Sequence, residues 1–500
     1  MPPIAACHSP LTNYMIAVLL ILIPLIGGLA LFAVKNEVSA RGIALFVGIC
    51  VLVVSLLGLT VMKTQADLNC DMTWLQMLNS RFHVGLDGMG QLLCLLTAIS
   101  FPLIFIATWN NVYKDGHRFY ALMLLSQAGL MGVFLAMDAL LFYFFWELAL
   151  IPVYFLSSIW GGEKRIAATF KFFVYTFAGS LVMLVGIIFI YFQAGQSFDL
   201  HSWYNLKLAQ NTQSWLFWMM FIAFAIKMPV WPFHTWQPDA YEQSPTAVTM
   251  VLSGIMVKMG VFAVIRWLAP VLPDGFYSWG DTVSLLCLVG MIYASLIAIK
   301  QDDLKRLIAY SSIAHIGLMC LAIFASDKSG LQGVMLQMFS HGINIIGLWI
   351  VANAIETKYG TRKMSELGGL AQKDPALALL LVMVALANIA LPLTNGFVGE
   401  FMMFNGVFSS AVTKYGVLDM TVAGICIILA AVYTLNMIKR IFYGNSSALV
   451  QSGTPASIPV LVSLSVIVVL IFFTGVYPKP MLQLTNDTVD AILKLMKTSI

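Results

Sequence analysis

The chain has 500 residues, of which 60% are hydrophobic and only 10% are charged. A soluble domain carries roughly 25% charged residues, so this composition excludes a soluble protein and indicates one that crosses a membrane many times. The formal net charge is only +4 and the basic residues are scattered, which excludes a nucleic-acid-binding protein.

Apolar segments follow one another along the whole chain. Windows of about 20 apolar residues predict about fourteen transmembrane helices and leave no polar block long enough for a separate soluble domain. The sequence therefore predicts an all-α polytopic membrane protein with a single membrane domain over residues 1–500. No Lys or Arg precedes Lys35, so the first apolar run lacks the basic leader of a signal peptide and is predicted to be a retained span. The predicted spans are 12–34, 41–62, 88–109, 119–136, 138–160, 170–192, 214–235, 246–266, 278–299, 305–325, 332–355, 376–405, 419–441 and 458–477.

The distribution of basic residues predicts the orientation. With the N-terminus outside, the cytoplasmic loops hold sixteen of the 27 Lys and Arg residues, the outer loops and the tail hold nine, and Lys227 and Lys258 lie within spans. Because loops rich in Lys and Arg stay in the cytoplasm, both termini are predicted to lie outside. The tail segment DTVDAILKLMKTS has apolar residues at helical spacing, which indicates an amphipathic helix at the outer interface or against a neighbouring subunit.

Two of the predicted spans contain an internal break. Pro229 and Pro232 remove two backbone hydrogen bonds from the helix around Lys227, and Pro392 frees the carbonyl of Asn388 in the second span. Carbonyls freed inside a membrane must face water or protein. The alternative is that these prolines kink the helices for packing alone. The charged residues beside both breaks favour a functional interpretation.

The two broken spans lie five spans apart, and an odd offset makes equivalent helices point in opposite directions. Transporter folds built from inverted repeats place discontinuous helices of this kind at the transport site. The sequence therefore predicts a first inverted five-helix repeat at 119–266 and a second at 278–441. The N-terminal spans at 1–109, and the last span with a short tail at 458–500, lie outside these repeats.

Four ionisable residues lie inside apolar segments, namely Glu147, Lys227, Lys258 and Glu400. Each charge there costs about 2.5–3.5 kcal/mol on insertion scales, so such residues typically mark ion or proton pathways. A carboxylate near Lys227 stabilises the protonated lysine, whereas separation favours release of the proton. Glu147 and Lys227 are therefore predicted to act as a proton switch, with Lys258 and then Glu400 as later carriers. The alternative is a static buried pair that only orients helices.

Three histidines extend the same pattern. His234 follows Pro232, His315 lies in YSSIAHIGLM, and His341 lies in QMFSHGINIIG. A neutral imidazole both donates and accepts a hydrogen bond, so a histidine inside the membrane suits proton relay near neutral pH. Taken singly, each could equally be a packing residue bonded to a carbonyl. Asp138 begins a predicted span and is interpreted as a helix cap.

Cofactor motifs are absent from the sequence. The seven cysteines have no metal or iron–sulfur spacing. There is no Walker motif, and the glycines of GLDGMG at 85–90 do not fit a dinucleotide loop. The sequence therefore predicts that this chain itself holds no metal, nucleotide or redox cofactor.

Five segments together closely resemble the antiporter-like membrane subunits of proton-pumping NADH:quinone oxidoreductase, respiratory complex I. They are FYFFWELALIPVYFL, AFAIKMPVWPFHTWQPDAYEQSPTA, LSGIMVKMG, DLKRLIAYSSIAHIG and NGFVGEF. The family pairs the glutamate of FWE with the lysine of KMP, adds a second lysine on the next helix, and ends with a charged residue on the second broken helix. By resemblance these are Glu147, Lys227, Lys258 and Glu400. A glutamate at the last position is similar to the M type, since the L and N types carry lysine there.

The resemblance implies a proton-translocating, non-redox subunit of the membrane arm in the bacterial cytoplasmic (inner) membrane. Quinone reduction elsewhere in the complex would drive protons outward through the buried Glu, Lys and His residues. It also implies L- and N-type antiporter-like subunits and membrane lipid as partners. FMN, iron–sulfur clusters and quinone are expected in partner subunits.

Two alternatives use the same sequence features. The first is a subunit of a multisubunit sodium/proton antiporter or of a membrane-bound hydrogenase, which share the fold and motifs. The second is a passive spacer that joins other subunits, for which Lys227→Ala would leave proton pumping intact. Tyr241, where the family commonly has histidine, and LPLTNGF in place of LPGTGNF depart from the usual pattern.

Overall fold

The structure is a computed structural model, and it describes residues 15–61, 68–451 and 455–497. The start of predicted span 12–34, residue 62 and the last residues of the tail lie outside the described residues. The helices of the N-terminal part and of the first predicted repeat are α1 (Met15–Leu31), α2 (Glu37–Val61), α3 (Gly88–Ala107), α4 (Gly116–Leu135), α5 (Ala139–Trp160), α6 (Arg165–Gln193), α7 (Leu200–Tyr204), α8 (Gln210–Lys227), α9 (Trp236–Gln243), α10 (Thr246–Val251) and α11 (Val257–Ala263).

The rest of the chain continues the helical architecture. Its helices are α12 (Pro273–Lys300), α13 (Leu304–Phe324), α14 (Lys328–Tyr359), α15 (Leu370–Lys373), α16 (Pro375–Asn388), α17 (Asn395–Ser409), α18 (Gly416–Phe442), α19 (Ala448–Gln451), α20 (Ile458–Val476) and α21 (Lys479–Lys497). Two π-helical segments, Leu252–Met256 and Val264–Leu268, flank α11 and join it to α10 in one continuous helical rod.

The predicted all-α membrane fold is confirmed. Within the described residues, 11 helices are long and apolar enough to cross a membrane, and the shorter α1 and α16 are also apolar. The count of about fourteen spans is not confirmed by this criterion, because it requires long unbroken apolar helices and two predicted spans are interrupted. The arrangement into two inverted repeats stays a prediction.

Three long helical segments form the centre of the bundle. The rod at Thr246–Leu268, α13 and α14 are each buried along the whole of their most apolar segment. By contrast, α2, α6, α18 and α20 bury less than half of their most apolar segment and expose large aliphatic and aromatic side chains. A helix that is apolar all round is stable only inside protein or lipid, so the second group forms the lipid-facing shell and the first group the core.

Aspartate side chains fix the starts of several of these helices. Asp87, Asp138, Asp303, Asp327 and Asp374 accept hydrogen bonds from backbone N–H groups in the first turns of α3, α5, α13, α14 and α16 respectively. These groups have no partner within their own helix, and an aspartate cap satisfies them. The cap predicted for Asp138 is confirmed.

The sequence pattern of transmembrane spans did not predict a small sheet before α3. Strand β1 (Asn69–Leu75) pairs antiparallel with β2 (Ser80–Gly85). The turn between them uses Asn79 in the left-handed conformation at φ 49°, which asparagine tolerates better than most residues. The amphipathic α21 packs on α3 and α14, so it lies against this chain's own bundle.

Both predicted helix breaks are present, and carbonyls beside each break accept hydrogen bonds from new donors. Helix α8 ends at Lys227, and the N–H of Val230 donates to the carbonyl of Ala225 at 2.9 Å. The indole of Trp236 donates to the carbonyl of Ile226 at 3.0 Å. Replacement donors of this kind are what allow a helix to stop inside a membrane. The break leaves Lys227 at a helix end within the protein interior.

The second break separates α16 from α17. The N–H of Leu391 donates to the carbonyl of Leu386 at 3.0 Å, while Ala390 and Leu393 adopt positive φ of 57° and 76°. Such conformations are uncommon for residues with a side chain and cost energy. This strained turn changes the direction of the chain. Helix α17 begins after it, at Asn395, and places Glu400 in the core.

Candidate functional site

The structure places Glu400 in direct contact with a predicted relay histidine. Its Oε1 lies 3.1 Å from Nδ1 of His315 and accepts a hydrogen bond from Nε2 of Gln337 at 3.2 Å. Glu400 is only 3% exposed, and its Oε2 has no hydrogen-bond partner among the described residues. The carboxyl group is therefore enclosed, held at one oxygen and free to exchange a proton at the other.

A second contact joins the two predicted repeats. Nζ of Lys258 lies 2.9 Å from Nδ1 of His341 and donates to the carbonyl of Ser253 at 2.8 Å. Lys258 lies between the two π-helical segments, which are frequent at functional sites because they distort the regular hydrogen-bond ladder. The fully buried amine of one half thereby contacts a histidine on α14, in the other half.

These two contacts are linked by a pair of imidazoles. The ring centroids of His315 and His341 lie 5.5 Å apart. Lys258, His341, His315 and Glu400 consequently form one row of ionisable side chains, in which the two imidazoles pack against each other without a hydrogen bond. All four are buried in the centre of the bundle, where each exchangeable proton has few other acceptors.

The first predicted pair is arranged differently. Within the described part of the chain, no ion pair within 4.0 Å joins Glu147 and Lys227, and Oε1 of Glu147 and Nζ of Lys227 have no hydrogen-bond partner. Lys227 instead lies over aromatic rings, with Nζ 5.6 Å from the centroid of Trp146 and 5.9 Å from that of Phe172. The two charged groups still interact electrostatically. The structure thus shows this pair separated.

His234 lies apart from the row. It follows the break after α8, its Nδ1 has no partner among the described residues, and its ring packs edge-on against Tyr293 with centroids 5.2 Å apart. The sequence grouped it with His315 and His341, but the structure brings only those two together.

Sequence reasoning from ionisable residues missed the polar side chains that hold this row. Nδ2 of Asn388 lies 3.4 Å from Nε2 of His315 and 3.3 Å from the hydroxyl of Ser311, which also accepts from Tyr433 at 3.1 Å. With Gln337, these residues orient His315 and Glu400. In the sequence these residues are recognisable as uncharged polar side chains inside otherwise apolar helices, a pattern that attention to charged residues alone does not reveal.

The predicted cytoplasmic end of the site is closed by ion pairs. Lys305 pairs with Glu356 at 2.6 Å, and Arg362 pairs with Asp303 and Glu242 at 2.6 Å each. Burial raises the pKa of Asp303, while the nearby Arg362 acts in the opposite direction. These contacts join α9, α13 and the end of α14, so a cluster of paired charges lies at this end of the bundle.

Comparisons with known proteins agree with this architecture. The transmembrane family described as NADH:quinone oxidoreductase/Mrp antiporter matches residues 136–436. NADH-quinone oxidoreductase subunit M of Rickettsia typhi is 35% identical, over 84% of this chain and 85% of the relative. The subunit of the same name from Pseudomonas aeruginosa is 34% identical over 95% of this chain and 96% of its own length. That of Escherichia coli is 33% identical over 86% of each.

Solved structures show the same fold. A chain of respiratory complex I from Thermus thermophilus with bound NADH superposes with a TM-score of 0.88 and 26% identity, covering 96% of this chain and 99% of that one. A chain of the archaeal membrane-bound sulfane sulfur reductase gives a TM-score of 0.86 at 21% identity, covering 97% and 99%. A chain of the Mrp complex from Dietzia gives 0.85 at 20%, covering 97% and 100%. The last two show the fold alone.

Proposed function

Because the chain belongs to the NADH:quinone oxidoreductase/Mrp antiporter transmembrane family, among the subunits M of NADH-quinone oxidoreductase, we propose that it translocates protons along its buried row of ionisable residues. It works as a membrane subunit of that complex, together with the other membrane subunits. Protons would pass from Lys258 through His341 and His315 to Glu400, and then outward. L- and N-type antiporter-like subunits are proposed as neighbours, with the bacterial cytoplasmic membrane as the location and both termini outside.

One observation carries this proposal, namely the direct succession of Lys258, His341, His315 and Glu400 at the centre of the bundle. A row of this kind can move a proton by short steps, because each group lies close to another group that can accept a proton. Four buried ionisable residues are costly to keep in a membrane protein. A structural pair would explain only two of them.

The separated Glu147 and Lys227 supply a point of control. When the carboxylate approaches, the protonated form of Lys227 is stabilised; when it withdraws, the lysine gives up its proton toward Lys258. An energy input drives transport only if it changes the relative free energies of such states. Quinone reduction in another subunit would do so by altering the charge beside Glu147. FMN, iron–sulfur clusters and quinone are assigned to partner subunits, and this chain acts as a non-redox part of the translocase.

The test uses the assembled complex in sealed vesicles. NADH oxidation should generate a pH gradient that an uncoupler abolishes. Glu400→Gln, which keeps the size and hydrogen-bonding shape of the side chain, should lower proton release outside per NADH oxidised. The matched control is Asp490→Asn, because Asp490 lies on α21 and pairs only with Lys328 at the surface. A gradient that requires sodium would favour the antiporter alternative, and unchanged proton release with Glu400→Gln would favour a passive spacer.

A further inference from the structure

The seam between α12 and α18 contains a cavity that the proposed row of proton carriers does not use. This outer cavity has a volume of about 570 Å³ and lies at the predicted outer end of the two helices. Most of its lining is aliphatic, but Asp281 of α12 and Asp419 of α18 both contribute to it, together with Thr282 and Tyr415. Two carboxylates from different helices thus line one opening.

Asp419 is unusual among the acidic residues of this chain. It is only 5% exposed, and its carboxylate has no hydrogen bond or ion pair within the described residues. Asp281 is better solvated; it accepts a hydrogen bond from the backbone N–H of Lys414 at 3.3 Å and lies 3.9 Å from Nζ of Lys414. The carboxylate oxygens of Asp419 reach the cavity and have no protein donor in the described part of the chain. A largely buried carboxylate without a donor is costly as an anion, so Asp419 is poised to take up a proton.

A second, smaller cavity lies deeper along the same seam. It has a volume of about 20 Å³ and is lined by Met291 of α12, Cys426 and Tyr433 of α18, and by His315 and Glu400. A space of about 10–15 Å³ is enough for one water molecule, provided that polar groups line it. Here the polar lining includes the carboxyl group whose Oε2 has no partner among the described residues. This inner cavity therefore adjoins the last carrier of the proposed row.

The two cavities are separated by a short length of helix. On α18 the outer cavity reaches Val422 and the inner cavity begins at Cys426. Four residues of α-helix correspond to about 6 Å, one helical turn. On α12, Ile292 lines the outer cavity and Met291 the inner one, so the two cavities lie at nearly the same height along that helix.

Charges at the two ends of the seam favour one direction of proton movement. At the predicted cytoplasmic end, Arg440 of α18 forms an ion pair with Asp302 and donates to the carbonyl of Gln301 at 3.4 Å. At the outer end the two helices present like charges, Asp281 and Asp419. Carboxylates lower the free energy of a passing proton, and a paired guanidinium has little net effect on it. The outer end, with two carboxylates beside one lysine, Lys414, therefore attracts protons more strongly than the inner end, where Arg440 and Asp302 neutralise each other.

We propose that protons leave Glu400 along the seam between α12 and α18, with Asp419 as the next acceptor and Asp281 as its partner at the outer opening. The carboxylic acid of Glu400 passes its proton through water in the inner cavity to the carboxylate of Asp419, and Glu400 becomes an anion. Asp419 then releases the proton past Asp281 to the outer solution and regains its negative charge. This inference rests on the proposed role of Glu400.

The experiment compares variants of the complete complex in sealed vesicles and measures the protons released outside per NADH oxidised. Asp419→Asn should reduce this number by as much as Glu400→Gln does, because both remove a step that every proton takes. Asp419→Glu should restore it, since a carboxylate returns to the same cavity. Asp281→Asn, at a more exposed position, should cause a smaller loss. Asp490→Asn, also acidic and on the outer side but away from the seam, should cause none.

The outcomes distinguish failure of the proposed proton outlet, the seam between α12 and α18, from failure of the proposed function. Normal proton release with Asp419→Asn and reduced release with Glu400→Gln would overturn the outlet alone. Normal release with both would overturn both. If Asp419→Asn prevents assembly, Asp281→Asn decides the question, because the side chain of Asp281 is partly solvated and its replacement should leave the fold intact. Normal release in that variant would then refute the seam as the outlet.

Discussion

Replacing Lys258 by methionine removes the one ammonium group that joins the two halves of the proposed proton row. Lys258 is fully buried, donates to the carbonyl of Ser253 at 2.8 Å and contacts Nδ1 of His341 at 2.9 Å. Methionine has nearly the same length and is apolar, so the cavity stays filled. We expect Lys258→Met to abolish proton translocation by this chain while the complex still assembles.

The structure sets the expected sizes of both effects. The substitution leaves the carbonyl of Ser253 and Nδ1 of His341 without this donor, at a cost of about 1–3 kcal/mol for each buried group. It also removes a buried charge, whose placement in the membrane costs about 2.5–3.5 kcal/mol. These terms oppose each other, so the net loss in the free energy of unfolding is about 3.5 kcal/mol at most. Loss of a positioned proton-transfer group, by contrast, slows its step by ~100-fold or more.

The assay records NADH oxidation and uncoupler-sensitive vesicle acidification in the same sample. The control is Lys328→Met, because Lys328 is an exposed lysine that pairs with Asp490 at 2.7 Å on the surface. Equal assembly of both variants, measured by native gel electrophoresis, separates transport from folding. An assembled Lys258→Met complex that releases the normal number of protons per NADH would refute the row as the transport path.

Three other substitutions test separate parts of the structure. Lys227→Ala should abolish proton release without loss of assembly, because the lysine has no hydrogen-bond partner in the described residues; normal release would support a spacer. Asp138→Ala should lower the free energy of unfolding by about 2–4 kcal/mol, since it removes a helix cap and leaves buried N–H groups unpaired; thermal unfolding in detergent measures this. The carboxylate of Asp199, 3.9 Å from Nδ1 of His201, raises the pKa of His201, so the stabilising contribution of this ion pair is complete below the unfolded pKa of about 6.5 and is lost as pH rises through the folded pKa. His201→Gln should remove that part of the pH dependence of the unfolding temperature, and an unchanged profile would contradict the assignment.

The sequence was sufficient for features that depend on local chemistry. A proline lacks an N–H wherever it lies, so Pro229 and Pro392 located both helix breaks without knowledge of the tertiary structure. An aspartate before an apolar run satisfies the free N–H groups of a helix start, so the cap at Asp138 was also predictable. The length of the apolar segments identified a membrane protein for the same reason, since the length of an apolar segment depends only on residues that are neighbours in the chain.

Contacts between distant helices could not be read in this way. Asn388 and Gln337 touch His315 and Glu400 only because α13, α14, α16 and α17 pack together, and no spacing in the sequence encodes that packing. The separation of Glu147 from Lys227 depends likewise on the relation between α5 and α8. The small sheet before α3 was missed because its strands were considered only as a loop between apolar segments.

The contrast between the two halves indicates where transport is controlled. From Lys258 to Glu400 the ionisable groups lie beside one another, and only the step between His341 and His315, whose rings are not hydrogen-bonded to each other, needs a ring movement or a bridging water. Lys227 instead lies over Trp146 and Phe172, and such cation–π contacts stabilise a desolvated ammonium by about 2 kcal/mol. A carboxylate at 4 Å would stabilise it by about 4 kcal/mol at an effective dielectric constant of about 20. Closing the Glu147–Lys227 pair therefore outweighs the aromatic contacts by about 2 kcal/mol, roughly a 30-fold change in the proton affinity of Lys227. A change of that size is enough to decide whether Lys227 keeps its proton or passes it toward Lys258, which makes the Glu147–Lys227 pair the gate and the row from Lys258 to Glu400 the conduit.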